Sequence, residues 1–136
     1  MHSQTYNANG DINPCRFVNI ETLDDTVSEA DSAEVIHGIS QRFPRAAPIE
    51  GASTLAAAAG QELTVHLAGA RDVLLEIGSG GCTPGMKLIA DTDGKGIAMG
   101  STAATKYNVG AIAKETRLAG EFARVDVHIE AVTFPA

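Results

Sequence analysis

The sequence predicts an all-β fold, a small antiparallel β-barrel or sandwich. Residues 61–67 and 122–129 alternate apolar and polar side chains, as half-buried strands do. Turn signals separate about eight short apolar runs at spacings of about 8–12 residues, which is typical of sandwiches and barrels. The helical stretches that a doubly wound α/β fold needs between its strands are missing. One short helix is expected over residues 54–59, with Ser53 as its N-cap and Gly60 as its end.

Length and charge bound the function. The 136 residues suit one β domain, which we assign to residues 11–136. The net charge of −7 disfavours direct binding to nucleic acid, because an acidic surface repels phosphates. No apolar run approaches the roughly 18 residues of a membrane helix, and no secretory leader opens the chain, so no membrane partner is expected. Aromatic residues make up 4% of the chain, which leaves little for a platform that stacks sugars or bases.

The N-terminal third divides into an arm, two strands and two loops. Residues 1–10 are polar and without period, which predicts an extended N-terminal arm outside the domain. Short β-rich runs follow at residues 12–20 and 35–40. The acidic segment between them, residues 21–34, is typical of a solvated hairpin. Residues 41–53 contain two arginines and two prolines and predict a loop.

The rest of the chain alternates strands and tight turns. Its apolar runs predict strands at residues 61–67, 72–77, 86–90, 96–100, 106–115 and 122–129. The DTDGKG segment starting at Asp91 begins like a calcium loop. Lys95 and Thr102 stand where such a loop needs oxygen ligands, so the segment is predicted to be a hairpin turn.

Three motifs occur twice, in the same order. The pairs are NPCRFV at 13–18 with TPGMKL at 83–88, VIHGIS at 35–40 with NVGAIA at 108–113, and AGQELTVHL at 59–67 with AGEFARVDV at 119–127. Shared order predicts a degenerate duplication with half-repeats of about 12–77 and 82–134.

No catalytic or metal-binding constellation emerges from the sequence. Cys15 and Cys82 have no cysteine or histidine at metal-ligand spacing, so they are expected to be reduced and buried. His66 and His128 occupy matching polar positions in the two alternating strands, where they could converge on a metal or an acid. Exposed strand histidines are the simpler interpretation, and no nucleophile, base and orienting group can be assembled. We therefore expect no enzyme, no catalytic residue, no cofactor and no metal. A small β-barrel enzyme that uses the two histidines is the competing class.

Taken in order, six segments resemble the small head decoration, or capsid cement, proteins of tailed bacteriophages. They are GDINPCRFV at 10–18, SEADSAEVIHGISQ at 28–41, AGQELTVHLAG at 59–69, TPGMKLIADTDGKGIA at 83–98, YNVGAIAKET at 107–116 and AGEFARVDV at 119–127. In that family a "gd.l.pG..l..d.dGkv..a" stretch is followed by "..vGia.....aGe.v.V", and the series appears twice here. The first copy departs from the pattern because it lacks the dGk turn and has Cys15 where the second has Gly85.

The resemblance implies a non-enzymatic virion protein, made in the host cytoplasm and located on the outer surface of the capsid. There it would bridge capsid subunits and stabilise the DNA-filled shell. Its implied partners are the major capsid protein and itself, as a homotrimer. The alternative is the base of a head fibre or spike that binds host surface glycans, against which the low aromatic content counts.

Four residues are predicted to contact the capsid. Tyr6 lies in the expected arm, and Arg42, Phe43 and Arg45 lie in the proline-flanked loop. Arginine and aromatic side chains dominate the binding energy of many interfaces, and Phe43 beside a proline is a poor strand residue. Removal of residues 1–10 is accordingly expected to weaken capsid binding and leave the domain folded.

Overall fold

Ten β-strands make up the regular structure of the computed structural model, which describes residues 2–22, 24–32, 34–42 and 55–135. The strands are β1 Ser3–Ala8, β2 Phe17–Ile20, β3 Thr26–Glu29, β4 Gly38–Ser40, β5 Glu62–His66, β6 Val73–Glu76, β7 Lys87–Ala90, β8 Gly96–Ala98, β9 Lys106–Ala113 and β10 Phe122–Thr133. The predicted all-β fold is confirmed. The described residues contain no apolar helix of membrane-spanning length.

Strands β1–β5, here called the N-terminal half, close into a barrel in the order β1-β3-β2-β4-β5. The β1–β3 ladder is parallel and the other ladders are antiparallel. Alternate residues point inward, so that Leu63 and Val65 of β5 are buried as the sequence predicted. The core of this barrel consists of Tyr6, Ala8, Ile12, Val18, Val27, Ala56, Ala57, Leu63 and Val65.

Strands β6–β10, the C-terminal half, form a sheet in the order β6-β10-β9-β7-β8. Its two outer strands meet at one end through a parallel bridge between Ile77 and Gly96. There the N–H of Gly78 donates to the carbonyl oxygen of Gly96 at 2.8 Å. This bridge matches the β1–β3 pairing, in which Ala8 lies opposite Val27. The C-terminal half therefore repeats the strand connectivity of the N-terminal half.

The repeat holds at the level of register and turns. The pairs Phe17–Ile39 and Val18–Gly38 of β2 and β4 correspond to Lys87–Ile112 and Leu88–Ala111 of β7 and β9. The turns before β5 and β10 also match: Gly60 N–H donates to Ala8 O at 2.8 Å, and Gly120 N–H donates to Ile77 O at 2.8 Å. The repeating units thus start at β1 and β6 rather than at residues 12 and 82.

The interpretation of residues 1–10 as an arm is wrong. Ser3–Ala8 form strand β1. It pairs with β5 from Ser3 to Asn7 and with β3 at Asn7 and Ala8. Tyr6 and Ala8 point into the barrel and are buried. The segment carries few apolar residues because only every second residue of a half-buried strand needs to be apolar. Its polar neighbours face outward.

The short helix predicted over residues 54–59 is also wrong for the part that the structure describes, residues 55–59. Ala57 instead forms an isolated antiparallel bridge with Ile12, and Ala56 and Ala57 are fully buried. Tertiary packing of the small side chains overrides their helix propensity. Ser53, the expected N-cap, lies outside the described residues.

The two halves share an apolar interface and a cluster of charges. Phe17 and Ile36 of the N-terminal half belong to the same buried cluster as the interior of the C-terminal half. Gly110 of β9 allows this approach, because a Cβ atom there would lie 2.7 Å from Phe17 Cε1 and 2.6 Å from Ile36 Cδ1. Arg16 adds an ion pair across the interface, with its Nη2 3.2 Å from Glu76 Oε1. The halves consequently hold each other in a fixed relative position.

Candidate interaction surface

The four predicted contact residues do not come together as one described site. Tyr6 is 6% exposed, and its hydroxyl lies 2.7 Å from His37 Nε2. A residue so placed belongs to the barrel core and not to an exposed arm, and its burial argues against a contact with a partner. Arg42 is exposed just after β4. Phe43 and Arg45 lie outside the described residues.

Arg42 lies at a groove between the halves. This groove, here called the Arg42–Arg71 groove, has a volume of about 500 Å³. One wall comes from the end of the N-terminal barrel and the other from the start of β6. Its lining residues are Gln41, Arg42, Thr64, His66, Ala70, Arg71, Asp72, Val73 and Leu74.

The described lining of the groove is cationic, in a protein of net charge −7. Arg42 and Arg71 supply two guanidinium groups. Asp72 is the one carboxylate among the described lining residues, and it already pairs with Lys114 at 2.7 Å. The hydrogen bond from Lys114 lowers the pKa of Asp72. Burial lowers the pKa of His66, which favours the uncharged ring.

The groove also exposes the backbone edge of β6. Strand β6 is an outer strand of its sheet and pairs with β10 only. The N–H of Ile77 donates to the carbonyl oxygen of Glu121, so these two residues form a hydrogen-bonded pair. Hydrogen-bonded and non-hydrogen-bonded pairs alternate along an antiparallel ladder. Three residues back along β6, Leu74 and Arg124 therefore form a non-hydrogen-bonded pair. The N–H and C=O of Leu74 therefore point away from β10 and toward the groove.

A second surface is an apolar turn of the C-terminal half. Leu118 is 71% exposed and Phe122 is 45% exposed. They flank the turn at residues 118–121, here called the Leu118–Phe122 turn. In the matching turn of the N-terminal half, Ala58 and Glu62 occupy the same positions. The two turns share their hydrogen bonds, since Gln61 and Glu121 accept from the N–H groups of Ala58 and Leu118. The apolar pair is thus not needed for the turn itself.

His66 and His128, the two histidines considered as a metal or acid site, do not occupy equivalent positions in the two halves. His66 lies in the groove, and the strand register gives Asp126, not His128, as its counterpart in the C-terminal half. His128 instead lies 3.4 Å from Glu130. The described residues hold no group of three histidine, cysteine or acidic side chains placed to bind a metal ion.

Two further predictions are confirmed. Cys15 and Cys82 are free and buried. The segment starting at Asp91 is a tight turn, in which Asp91 Oδ1 accepts the N–H groups of Asp93 at 2.8 Å and Lys95 at 2.9 Å.

Sequence reasoning missed the residues that distinguish these surfaces. Arg71 and Leu74 matter only because the fold places β6 opposite Arg42. Leu118 and Phe122 could have been found by comparing the repeats, because exposed positions that are small or acidic in one copy and large and apolar in the other suggest an asymmetric role.

No protein-family model matches the sequence, and a search of curated proteins gives no match either. Among solved structures, the fold is similar to the head fiber gp8.5 N base of bacteriophage phi29, known from a crystal structure. The match has a TM-score of 0.65 and 16% sequence identity, and it covers 92% of this chain and 92% of that chain. At this identity the likeness shows the fold.

Proposed function

We propose that the protein is a structural, non-enzymatic component of a tailed-phage head that binds the outer capsid surface and bridges capsid subunits. The likeness, over 92% of both chains, to a base from a phage head fiber carries the phage-head part of the proposal. Capsid binding and bridging is what the ordered motifs that resemble head decoration proteins imply, and these motifs derive from the sequence and not from the fold.

Bridging explains how such a small protein would stabilise a shell. A standard protein interface buries about 1,600 Å² in total. A subunit that touches two capsid subunits, or a homotrimer that touches three, gains a high effective concentration for each further contact. Modest contacts then suffice to resist the outward load of the packed DNA. The partners under this proposal are the major capsid protein and two further copies of the chain.

The Leu118–Phe122 turn is the surface that we assign to the capsid contact. Exposed apolar side chains cost solubility and do not stabilise the turn, whose hydrogen bonds are the same in the N-terminal half. Burial of apolar area at about 25 cal/mol per Å² would favour docking of this end of the molecule. The adjacent Arg117 holds the turn in place, because its Nε donates to the Phe122 carbonyl oxygen at 3.2 Å and its Nη2 lies 3.1 Å from Glu115 Oε1.

The test replaces the apolar pair with one small and one neutral polar residue. The double variant Leu118→Ala, Phe122→Gln should keep the melting temperature, because it places no second carboxylate opposite Glu76 in the β6–β10 ladder. It should bind phage heads lacking the protein several-fold less than the original chain does. Val35→Ala is the matched control, because Val35 is 64% exposed and lies in the other half. Equal occupancy by all three proteins would remove the turn from the interface.

A second candidate function is the base of a head fibre, which the printed description of the similar structure favours. Copy number separates the two functions. Electron cryo-microscopy of particles should show the protein at every equivalent lattice position if it decorates the capsid, and at few positions with an attached extension if it is a fibre base. Particles that carry none of the protein would contradict both.

A further inference from the structure

We propose that the Arg42–Arg71 groove binds an extended peptide segment bearing carboxylates, which adds as a strand to the edge of β6. The inference rests on the proposed function only for the source of the segment, which would be a head protein. The binding chemistry itself follows from the groove.

The backbone carries the first part of the argument. Leu74 lines the groove, and its N–H has no hydrogen-bond partner among the described residues. Two residues further along the same edge of β6, the N–H of Glu76 donates to the carbonyl oxygen of Cys15, in the N-terminal half, at 2.8 Å. The edge of β6 thus donates a backbone hydrogen bond to a turn of the N-terminal half at Glu76 and is open at Leu74. An extended peptide would continue this pairing, as in β-augmentation.

Charge carries the second part. Arg71 forms no ion pair within 4 Å with any described residue, and Arg42 lies on the opposite wall. The close ion pair of Asp72 is with Lys114 at 2.7 Å, and Arg71 acts on that carboxylate only as a more distant charge. A segment whose backbone pairs with β6 would bring carboxylates on the side that faces the arginines into contact with these guanidinium groups. Arginine binds carboxylates in a bidentate manner, which fixes the orientation of the segment.

The lining favours a peptide over an acidic polysaccharide. The described lining residues include no phenylalanine, tyrosine or tryptophan, the rings on which sugars usually stack. Ala70, Val73 and Leu74 offer small apolar surfaces of the kind that alternate side chains of a strand cover. An open N–H and C=O on one residue match the donor and acceptor spacing of a second backbone.

The test is a titration of the full chain, labelled with ¹⁵N, with the acetylated and amidated peptide EVEVEVE. The expected result is saturable binding, with a shift of the Leu74 amide signal and slower hydrogen exchange at that amide. Arg71→Glu should weaken binding by about tenfold or more, because it removes a cation and adds a repelling carboxylate. Lys106→Glu makes the same charge change on exposed β9, outside the groove, and should leave the affinity within about twofold.

Two further probes sharpen the outcome. The peptide KVKVKVK should not bind. If polygalacturonate shifts the Leu74 amide and EVEVEVE does not, the groove is a glycan site and the proposal is overturned. It is also overturned if neither probe binds, or if Arg71→Glu and Lys106→Glu behave alike. Head occupancy, measured separately with the original chain, tests the proposed function, so the two ideas fail independently.

Discussion

Cys15 has a left-handed backbone conformation, with φ of 59°, at the position where the C-terminal half has Gly85, with φ of 84°. Glycine adopts this conformation without steric cost, and other residues adopt it at a cost of order 1 kcal/mol. The buried thiol packs in the space beside Arg42, and its Sγ lies 3.8 Å from the Arg42 carbonyl oxygen. The N-terminal copy therefore accepts backbone strain in exchange for a buried side chain.

Burial also determines the chemistry of that thiol. It raises the pKa of Cys15 to about 11, and it raises the pKa of Cys82 as well. Because the thiolate is the reactive form, neither cysteine should react with Ellman's reagent at pH 8 in the folded protein. Both should react at once in 6 M guanidinium chloride. Rapid reaction of one thiol without denaturant would show that its surroundings open locally.

The Tyr6–His37 contact predicts a pH dependence of stability. Burial lowers the pKa of His37 from its ordinary value of 6.5, and it lowers the pKa of His66 in the same direction. The hydroxyl of Tyr6 and Nε2 of His37 form a hydrogen bond of 2.7 Å beside this ring. The unfolded chain therefore binds protons more readily at these two histidines. Their contribution to stability should be fully present above about pH 7 and fall as the pH drops below about 6.5. The loss should be complete once the pH has passed below the folded pKa values.

Chemical denaturation between pH 7.5 and 5 measures this dependence. The variants His37→Gln and His66→Gln should each flatten the curve, because glutamine does not titrate. His128→Gln is the control, since His128 is exposed at the surface. An unchanged slope in the first two variants would assign the dependence to the carboxylates.

At the scale of the element, β1 is the strand on which the N-terminal barrel depends. It pairs with both β3 and β5 and supplies Tyr6 and Ala8 to the core. Deletion of residues 1–10 should consequently open the barrel and lower the melting temperature by more than about 10 °C, or prevent folding. Circular dichroism during heating gives the measurement. An unchanged melting temperature would restore the interpretation of these residues as an arm.

The same strand shows what the sequence could and could not predict. Strand β5 alternates apolar and polar residues, and β6 carries a short continuous apolar run, so a local pattern suffices to find both. The apolar pattern of β1 is weak, and what holds its polar residues in the sheet is pairing with β3 and β5, which are distant in sequence. In β10 the alternation ends at a register shift between Val127 and Glu130, which leaves Ile129 37% exposed instead of buried. A bulge of this kind depends on the partner strand, β9.

At the scale of the whole molecule, the predicted duplication explains why the two halves share one strand connectivity. The residues that differ between the copies form the candidate interaction surfaces. Repeated turns such as those at Gly60 and Gly120 could be recognised as motifs. The groove could not, because it forms only where the end of one copy meets the beginning of the next. Its position depends on the packing of Phe17 and Ile36 against Gly110, which no local pattern encodes.

Arg16 is the polar counterpart of that packing. Its side chain is 13% exposed and pairs with Glu76, whose second oxygen lies 3.3 Å from Lys95. Its Nη1 also donates to the carbonyl oxygen of Asp93 at 2.9 Å. Removal of one partner of a buried pair leaves the other desolvated without full compensation. We therefore expect Arg16→Ala to cost about 3 kcal/mol of folding free energy, even though Lys95 still faces Glu76.

Differential scanning calorimetry tests this expectation against Arg124→Ala, which removes an arginine whose side chain is 56% exposed and pairs with Glu115. That exposed pair should contribute less than about 1 kcal/mol. The original chain should unfold in one transition, because the shared apolar cluster couples the halves. Arg16→Ala should lower the melting temperature by about 10 °C, several times more than Arg124→Ala does. Equal shifts would mean that the apolar contact alone holds the halves together, and that the orientation of the groove walls does not depend on Arg16.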